Sequence, residues 1–274
     1  MPITLYQSLW AMEPWDDLAA TFDKVAAAGF DGMAIDLGAA DIALAYEALP
    51  HFDRTGLTPL IVAFPKSVSE LRGVLRMART FGAPFVNVIG QVFPLTVEGA
   101  IPVIRRWIEM GEDEGVPVQF ETHRNCITND LFFTLQLLDA VPEMRLAIDF
   151  SHYVVDREIR LPLDPFFAGL FRRCLERGDS FQGRVASRQQ VQLPLGFPQH
   201  AKWVAQFEAW WAEGFRLWRA RHPAVAECVF LCELGPPEYA ITNGDGRELS
   251  DRWDEALTLK ATAERLWAAA APAG

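Results

Sequence analysis

The sequence predicts an α/β protein folded as one parallel (β/α)8 barrel. Eight short apolar runs recur along its 274 residues, and segments of about 12 to 20 residues with helical periodicity separate them. Half of the residues are hydrophobic, which is ample for a closed core. Right-handed crossovers between parallel strands place the helices outside, and about 250 residues suffice for such a barrel. We therefore predict a single domain spanning residues 1–274.

The predicted elements alternate in the order that such a barrel requires. The strands are Ile3–Trp10, Gly32–Leu37, Thr58–Phe64, Phe85–Gly90, Val116–His123, Arg145–His152, Gly183–Gln189 and Val229–Gly235. The clearest helical segments are Trp15–Ala28, Ser67–Phe81, Ile101–Glu114, Thr128–Val141, His200–Arg221 and Asp251–Ala270. Glycine follows three of them directly, as is typical of helix ends. No glycine-rich phosphate turn follows the first strand, which disfavours an open doubly wound sheet.

Charge and hydropathy exclude several classes of partner. The formal net charge is -11 and no basic stripe interrupts it, so nucleic acid and anionic membranes are disfavoured partners. No apolar run approaches the ~20 residues of a membrane helix, and the amino terminus lacks a basic region before an apolar one. We therefore expect a cytoplasmic protein. Its four cysteines show no metal-binding or disulfide spacing and are expected to be reduced and mostly buried.

In three predicted strands the apolar run closes with a carboxylate near the strand end: Glu121, Asp149 and Glu233. Active sites of (β/α)8 barrels lie where the strands end, so we expect these side chains to meet at the barrel mouth. Three carboxylates in a partly dry pocket repel one another unless a cation neutralises them. The pattern therefore predicts a divalent metal, with Mn²⁺ or Mg²⁺ favoured by oxygen ligands and Co²⁺ or Zn²⁺ if an imidazole joins them.

The motifs at these strand ends resemble those of the xylose isomerase-like TIM barrel family of sugar phosphate isomerases and epimerases. They are Glu121–Arg124 (ETHR), Asp149–His152 (DFSH) and Glu233–Tyr239 (ELGPPEY). The resemblance implies a small carbohydrate substrate and metal ligation by Glu121, Asp149 and Glu233. It further implies that His152 contacts a substrate oxygen, and that the protein forms a homodimer or a higher homo-oligomer.

Strand seven departs from the family pattern. Where family members commonly read Val-His-Ala-Arg, this chain reads Val185–Arg188 (VASR), so Ala186 replaces the expected imidazole ligand. Gln189 or a water is then a candidate ligand, and the metal is otherwise weakly bound or absent. With His123 and Arg124, Arg188 forms a candidate cationic pocket for substrate. An ion pair between Arg188 and a carboxylate is the alternative, and it would balance the pocket without metal.

The reaction implied by the resemblance is proton transfer beside a carbonyl. Glu121 and Glu233 would act as base and acid on opposite faces of a ketose or aldose, giving isomerisation or epimerisation. A lyase or hydrolase acting on a keto-glycoside is an alternative for the same site, and a catalytically degenerate sugar-binding accessory protein is another. Further candidates for the sugar pocket follow other strands: Trp10, Gln7, Asp36, Asn87 and Gln91.

Overall fold

A computed structural model describes residues 2–13, 17–222 and 226–270. Eight parallel strands form a closed barrel in which each strand pairs with its sequence neighbours and β8 pairs with β1. The strands are β1 Ile3–Ser8, β2 Gly32–Asp36, β3 Thr58–Ala63, β4 Val86–Val88, β5 Val118–Glu121, β6 Leu146–Ile148, β7 Gly178–Gly183 and β8 Cys228–Cys232. This confirms the predicted (β/α)8 TIM barrel.

Helices connect the strands and cover the outside of the barrel. They are α1 Leu18–Ala27, α2 Ile42–Thr55, α3 Leu71–Phe81, α4 Val97–Glu114, α5 Leu131–Ala140, α6 Phe150–Asp156, α7 Pro165–Leu175, α8 Ala201–Arg221 and α9 Arg252–Ala269. Side-chain caps fix several starts: Asp41, Thr96 and Asp130 each accept a hydrogen bond from a backbone N–H of the first turn. The predicted start of the first helix, Trp15, lies outside the described residues.

Strand alternation divides the apolar side chains into two layers. Tyr6, Ala34, Leu60 and Leu231 pack together inside the barrel. The other strand face packs against the helices in a larger core, and Cys228 and Cys232 are buried there. All four cysteines are free and buried, as expected. Among the described helices, none combines the length and apolar character needed to cross a membrane.

The predicted seventh strand, Gly183–Gln189, was wrong by about one strand length. The structure places β7 at Gly178–Gly183, with Gly183 opposite Cys232 of β8. The error has a physical cause, because polar Ser180 and Gln182 alternate along β7 where an apolar run was sought. The apolar residues that follow, including Ala186, are buried in the outer core. The other seven predicted runs overlap the observed strands.

Candidate active site

The three strand-end carboxylates converge at the mouth of the barrel. Glu121 ends β5, Asp149 directly follows β6, and Glu233 directly follows β8. One carboxylate oxygen from each lies within 4.8 Å of the others. Their exposed fractions are 0%, 0% and 4%, so solvent contributes little to stabilising their charges. The structure thus brings together the three residues predicted to hold a metal.

Glu121 is held by two side-chain amides. Its Oε2 accepts hydrogen bonds from Asn87 Nδ2 and, at 2.6 Å, from Gln182 Nε2. Its Oε1 is buried with no hydrogen-bond partner. Burial is the main cause that raises the pKa of Glu121, and the neighbouring charges of Glu233 and Asp149 raise it further. Glu121 is therefore oriented through one oxygen, and the other is left free for a cation or a proton.

Asp149 is fixed by its role at the start of α6. Its Oδ1 accepts the Ser151 backbone N–H at 2.8 Å, which caps the helix. Its own backbone N–H donates to Thr122 Oγ1 at 2.8 Å, and that hydroxyl donates to the Asp149 carbonyl. These bonds tie the ends of β5 and β6 together, so two of the three carboxylates are held in register.

The main feature that sequence reasoning missed is Arg184. It is the first residue after β7, it is 1% exposed, and its Nη1 donates to Asp149 Oδ2 at 3.0 Å. Its Nη2 lies 3.4 Å from Glu233 Oε1, and its Nε donates to the Glu233 carbonyl at 2.9 Å. Polar residues at every second position, Ser180, Gln182 and then Arg184, are the signal that could have identified it.

When all three carboxylates are ionised, Arg184 neutralises one of their charges and the centre keeps a net charge of −2. Burial lowers the pKa of Arg184 but Glu233 and Asp149 raise it more, so it stays charged. Burial raises the pKa of Glu233 to about 8, against the lowering effect of Arg184. Glu121 Oε1 and Glu233 Oε2 are both buried without partners. Free carboxylate oxygens and a deficit of two charges fit a divalent cation held by oxygen ligands.

A second group, Glu121 with His123 and His152, also has ligand atoms within 4.8 Å of one another. Arginines flank it: Arg124 Nη1 donates to His152 Nδ1 at 3.2 Å, and Arg184 Nη1 lies 3.3 Å from His152 Nε2. Burial lowers the pKa of His123 to about 3 and that of His152 well below its usual value, so both rings are neutral at pH 7. This group has one carboxylate and two adjacent guanidinium groups, against three carboxylates and one guanidinium in the first group, so it is the poorer cation site.

A small cavity leads to Glu233. It has a volume of about 190 Å³, and its lining includes Trp10, Asp36, Phe64, His123, Glu233 and Tyr239. Trp10 meets Tyr239 edge to face at a centroid distance of 5.2 Å, which forms an aromatic wall. Burial raises the pKa of Asp36 to about 6. A larger cavity of about 450 Å³ lies between α8 and α9 on the outer surface, away from the carboxylates.

The remaining predicted residues divide into three groups. Arg124 lies at the rim, where its Nη2 donates to the Tyr239 hydroxyl at 2.8 Å. His152 is 2% exposed and lies behind His123, with ring centroids 3.9 Å apart, so His123 is the ring that faces the cavity. Arg188 and Gln189 are not brought to the carboxylates.

The positions of Arg188 and Gln189 correct the expectation drawn from strand seven. Arg188 is 40% exposed and lies 3.9 Å from Glu158, and Gln189 is exposed. Both follow the true end of β7 by several residues, which explains their distance from the site. Gln7, another candidate for the sugar pocket, faces away from the barrel interior and lines a depression beside Trp253. Gln91 is half-buried, and its backbone N–H donates to the Pro65 carbonyl.

The chain has a (β/α)8 TIM barrel fold that is similar to those of xylose isomerase-like proteins and sugar epimerases. A xylose isomerase-like TIM barrel protein from Mycobacterium smegmatis, solved in complex with magnesium, is 15% identical with a TM-score of 0.63 and 98% of each chain covered. An L-ribulose 3-epimerase is 16% identical with a TM-score of 0.62, covering 98% of this chain and 96% of the other.

Other solved structures extend the comparison to further chemistry. A D-allulose 3-epimerase from Methylomonas sp. is 15% identical with a TM-score of 0.61, covering 97% of this chain and 98% of the other. A probable 3-DHS dehydratase from Bacillus anthracis is 16% identical with a TM-score of 0.54, covering 96% of this chain and 98% of the other. Neither a family sequence model nor a curated protein matches the chain. The comparisons therefore establish the fold, and the reaction has to be argued from the site.

Proposed function

We propose that this protein is a divalent-metal-dependent isomerase or epimerase that moves a proton beside the carbonyl of a small sugar or keto-sugar. The observation that carries the proposal is the pairing of Glu121 and Glu233. Each is buried, each has one carboxylate oxygen without a partner, their oxygens lie within 4.8 Å of each other, and Glu233 lines the cavity. Mn²⁺ or Mg²⁺ suits the all-carboxylate ligand set best.

The residues of the chain account for the proton transfers. Glu121 and Glu233 have raised pKa values, which suit groups that must accept and then return a proton near neutral pH. In the proposed mechanism one of them removes the proton beside the carbonyl and the other delivers a proton to the same or the adjacent carbon. A divalent ion, when bound at Glu121, Asp149 and Glu233, supplies Lewis-acid polarisation of the substrate oxygen.

Substrate binding is assigned to the residues at the cavity. Trp10 and Tyr239 offer an apolar wall for sugar C–H groups, and Asp36 and His123 offer polar atoms in the same cavity. Arg124 positions Tyr239 from the rim. We assign His152 a positioning role, because it is buried between Arg124 and Asp149 rather than at the cavity surface.

The fold comparisons support this reaction class. Among the similar structures are an L-ribulose 3-epimerase, a D-allulose 3-epimerase that was also solved in complex with D-allulose, and a protein solved in complex with magnesium. A carbohydrate substrate and a divalent cation are therefore the first pair to screen for.

The test is a turnover screen in D₂O over aldoses, ketoses and keto-sugars. Chelator-treated protein would be supplied with Mn²⁺, with Mg²⁺ or with no metal. We expect metal-dependent formation of an isomer of unchanged carbon skeleton, with deuterium beside the carbonyl. Glu233→Gln should lower the turnover by about 10²- to 10⁴-fold because it removes one acid-base group. Glu112→Gln, an exposed carboxylate on α4, is the matched control. Full activity of Glu233→Gln would refute the assignment.

Elimination is the second candidate reaction, on a keto-glycoside or a related substrate. The fold is shared with a probable dehydratase, and elimination begins with the same proton abstraction. Product mass separates the two, because isomerisation conserves it and elimination does not. A catalytically degenerate sugar-binding accessory protein is the other alternative, because the residue that follows β7 is Arg184 and not an imidazole ligand. Sugar binding without turnover in the same screen would favour it.

A further inference from the structure

Arg184 lies beside the three carboxylates, at the carboxyl end of the seventh strand. It follows β7 directly and lies between Asp149, after β6, and Glu233, after β8. The Tyr239 ring packs against its guanidinium at 4.9 Å from the ring centroid. A side chain that is 1% exposed with this many contacts has one conformation available to it. Its charge is therefore a fixed part of the centre.

At Glu233 the guanidinium and a metal ion would use different oxygens, whereas at Asp149 both oxygens already accept hydrogen bonds, one of them from Arg184. Arg184 takes Asp149 Oδ2 at 3.0 Å and lies 3.4 Å from Glu233 Oε1. Glu233 Oε2 and Glu121 Oε1 have no partner. A divalent ion bound to these free oxygens would be held close to a positive charge that cannot move away. The carboxylates would also remain in place without it, because Arg184 bridges two of them.

We propose that Arg184 is a resident cation that sets the metal affinity of this centre: it holds Asp149 and Glu233 in position without metal and weakens the binding of a divalent ion. Two effects act in the same direction. The guanidinium engages oxygens that a metal would otherwise share, and its charge repels a second cation across a poorly solvated space. The inference rests on one part of the proposed function, namely that a divalent ion binds at this centre; it does not depend on the sugar reaction.

The test compares neutral and charged replacements of the same residue. Arg184→Gln keeps hydrogen-bonding capacity without the charge, and Arg184→Lys keeps the charge. Chelator-treated proteins would be titrated with Mn²⁺ by calorimetry in the absence of substrate, and their melting temperatures measured with and without Mn²⁺. Arg188→Gln, the same substitution at an exposed position four residues further along the chain, is the control.

We expect Arg184→Gln to bind Mn²⁺ at least tenfold more tightly than the parent protein and to gain more in melting temperature when Mn²⁺ is added. Arg184→Lys and Arg188→Gln should stay within about threefold of the parent. The inference would be overturned if Arg184→Gln bound Mn²⁺ no more tightly than the parent protein. It would also be overturned if Arg184→Lys gained as much Mn²⁺ affinity as Arg184→Gln. Absence of Mn²⁺ binding by all of the proteins would overturn it too.

Folding of the neutral variant is itself informative. If Arg184→Gln does not fold without metal, Arg184→Met, which keeps a long apolar stem, repeats the comparison. Folding that requires Mn²⁺ supports the inference, because the ion then replaces the charge of Arg184. A neutral variant that Mn²⁺ does not rescue counts against it. These measurements contain no substrate, so they test the role of Arg184 even if the protein proves inactive on sugars. Tighter metal binding, in turn, is not evidence for the sugar reaction.

Discussion

Replacing Glu121 with glutamine should stabilise the metal-free protein while abolishing its activity. Glu121 is fully buried, and its Oε1 has no partner while Oε2 accepts from Asn87 and Gln182. Glutamine is nearly the same shape, and its carbonyl oxygen can accept those two hydrogen bonds. The substitution therefore removes one of three clustered negative charges and preserves the packing around it.

The size of the effect follows from the spacing of the carboxylates. Oxygens of Glu121, Asp149 and Glu233 lie within 4.8 Å of one another. At an effective dielectric constant of about 20, two unit charges at that distance repel by about 3 kcal/mol. Arg184 offsets part of this repulsion, so we expect a net gain of about 1–3 kcal/mol for Glu121→Gln at pH 8. For a chain of this size that corresponds to a rise of about 3–10 °C in melting temperature.

The pH dependence gives the sharper test. The pKa of Glu121 is raised in the folded state, so the native protein binds more protons than the unfolded chain above the ordinary glutamate pKa of 4.5. The stability contributed by protonated Glu121 is full below that pH and is lost as the pH rises. Glutamine does not titrate, so the advantage of Glu121→Gln should be near zero at pH 4.5 and grow towards pH 8.

Melting curves from pH 4.5 to 8 on chelator-treated protein measure this advantage, with Glu112→Gln as the exposed control that should show no comparable trend. Adding Mn²⁺ should narrow the gap, because the parent retains all three ligands and gains more from the ion. A difference in melting temperature that is negative, or that does not change with pH, would refute the charge-repulsion reasoning.

Three further outcomes are expected. Arg188→Ala and Gln189→Ala should change kcat/KM less than about twofold, because both residues lie outside the site; a tenfold loss would show that the loop after β7 closes over substrate. Gly235→Ala should raise KM, because the added Cβ would lie 2.4 Å from Trp10 and 2.7 Å from Tyr239 and would displace these two rings. Unchanged steady-state kinetics would argue against the two rings as a substrate surface. Tyr239→Phe should weaken sugar binding with little change in melting temperature, since it removes the Arg124 contact at the exposed rim.

The barrel and its three carboxylates were predictable because each depends on local pattern. Most strands here are apolar runs of three to six residues, and the carboxylate that follows the run marks the strand end. In a parallel barrel all strand ends meet at one rim, so Glu121, Asp149 and Glu233 could be placed together without coordinates. The convergence within 4.8 Å agrees with that expectation.

The seventh strand was not predictable by the same rule, because its inward face is polar. Ser180 donates to Gln119 Oε1 at 2.5 Å and Gln182 donates to Glu121, so these side chains are satisfied by neighbours inside the barrel. A prediction based on apolar runs misses such a strand and assigns the strand to the next apolar residues, Val185 and Ala186. The register of β7 is decided by its pairing with the neighbouring strand β8, and the sequence of one segment alone does not reveal that pairing.

That one shift in register changes the chemistry assigned to the site. With Ala186 at the strand end, the centre would lack a ligand and carry three uncompensated charges, which predicts a weakly bound or absent metal or a lost function. With Arg184 there, two carboxylates are bridged and two charges remain for a divalent ion to balance. The same guanidinium packs on Tyr239, whose hydroxyl is held by Arg124. Metal affinity and the wall of the sugar cavity are therefore coupled through one buried side chain, so a neutral residue at position 184 should alter both together.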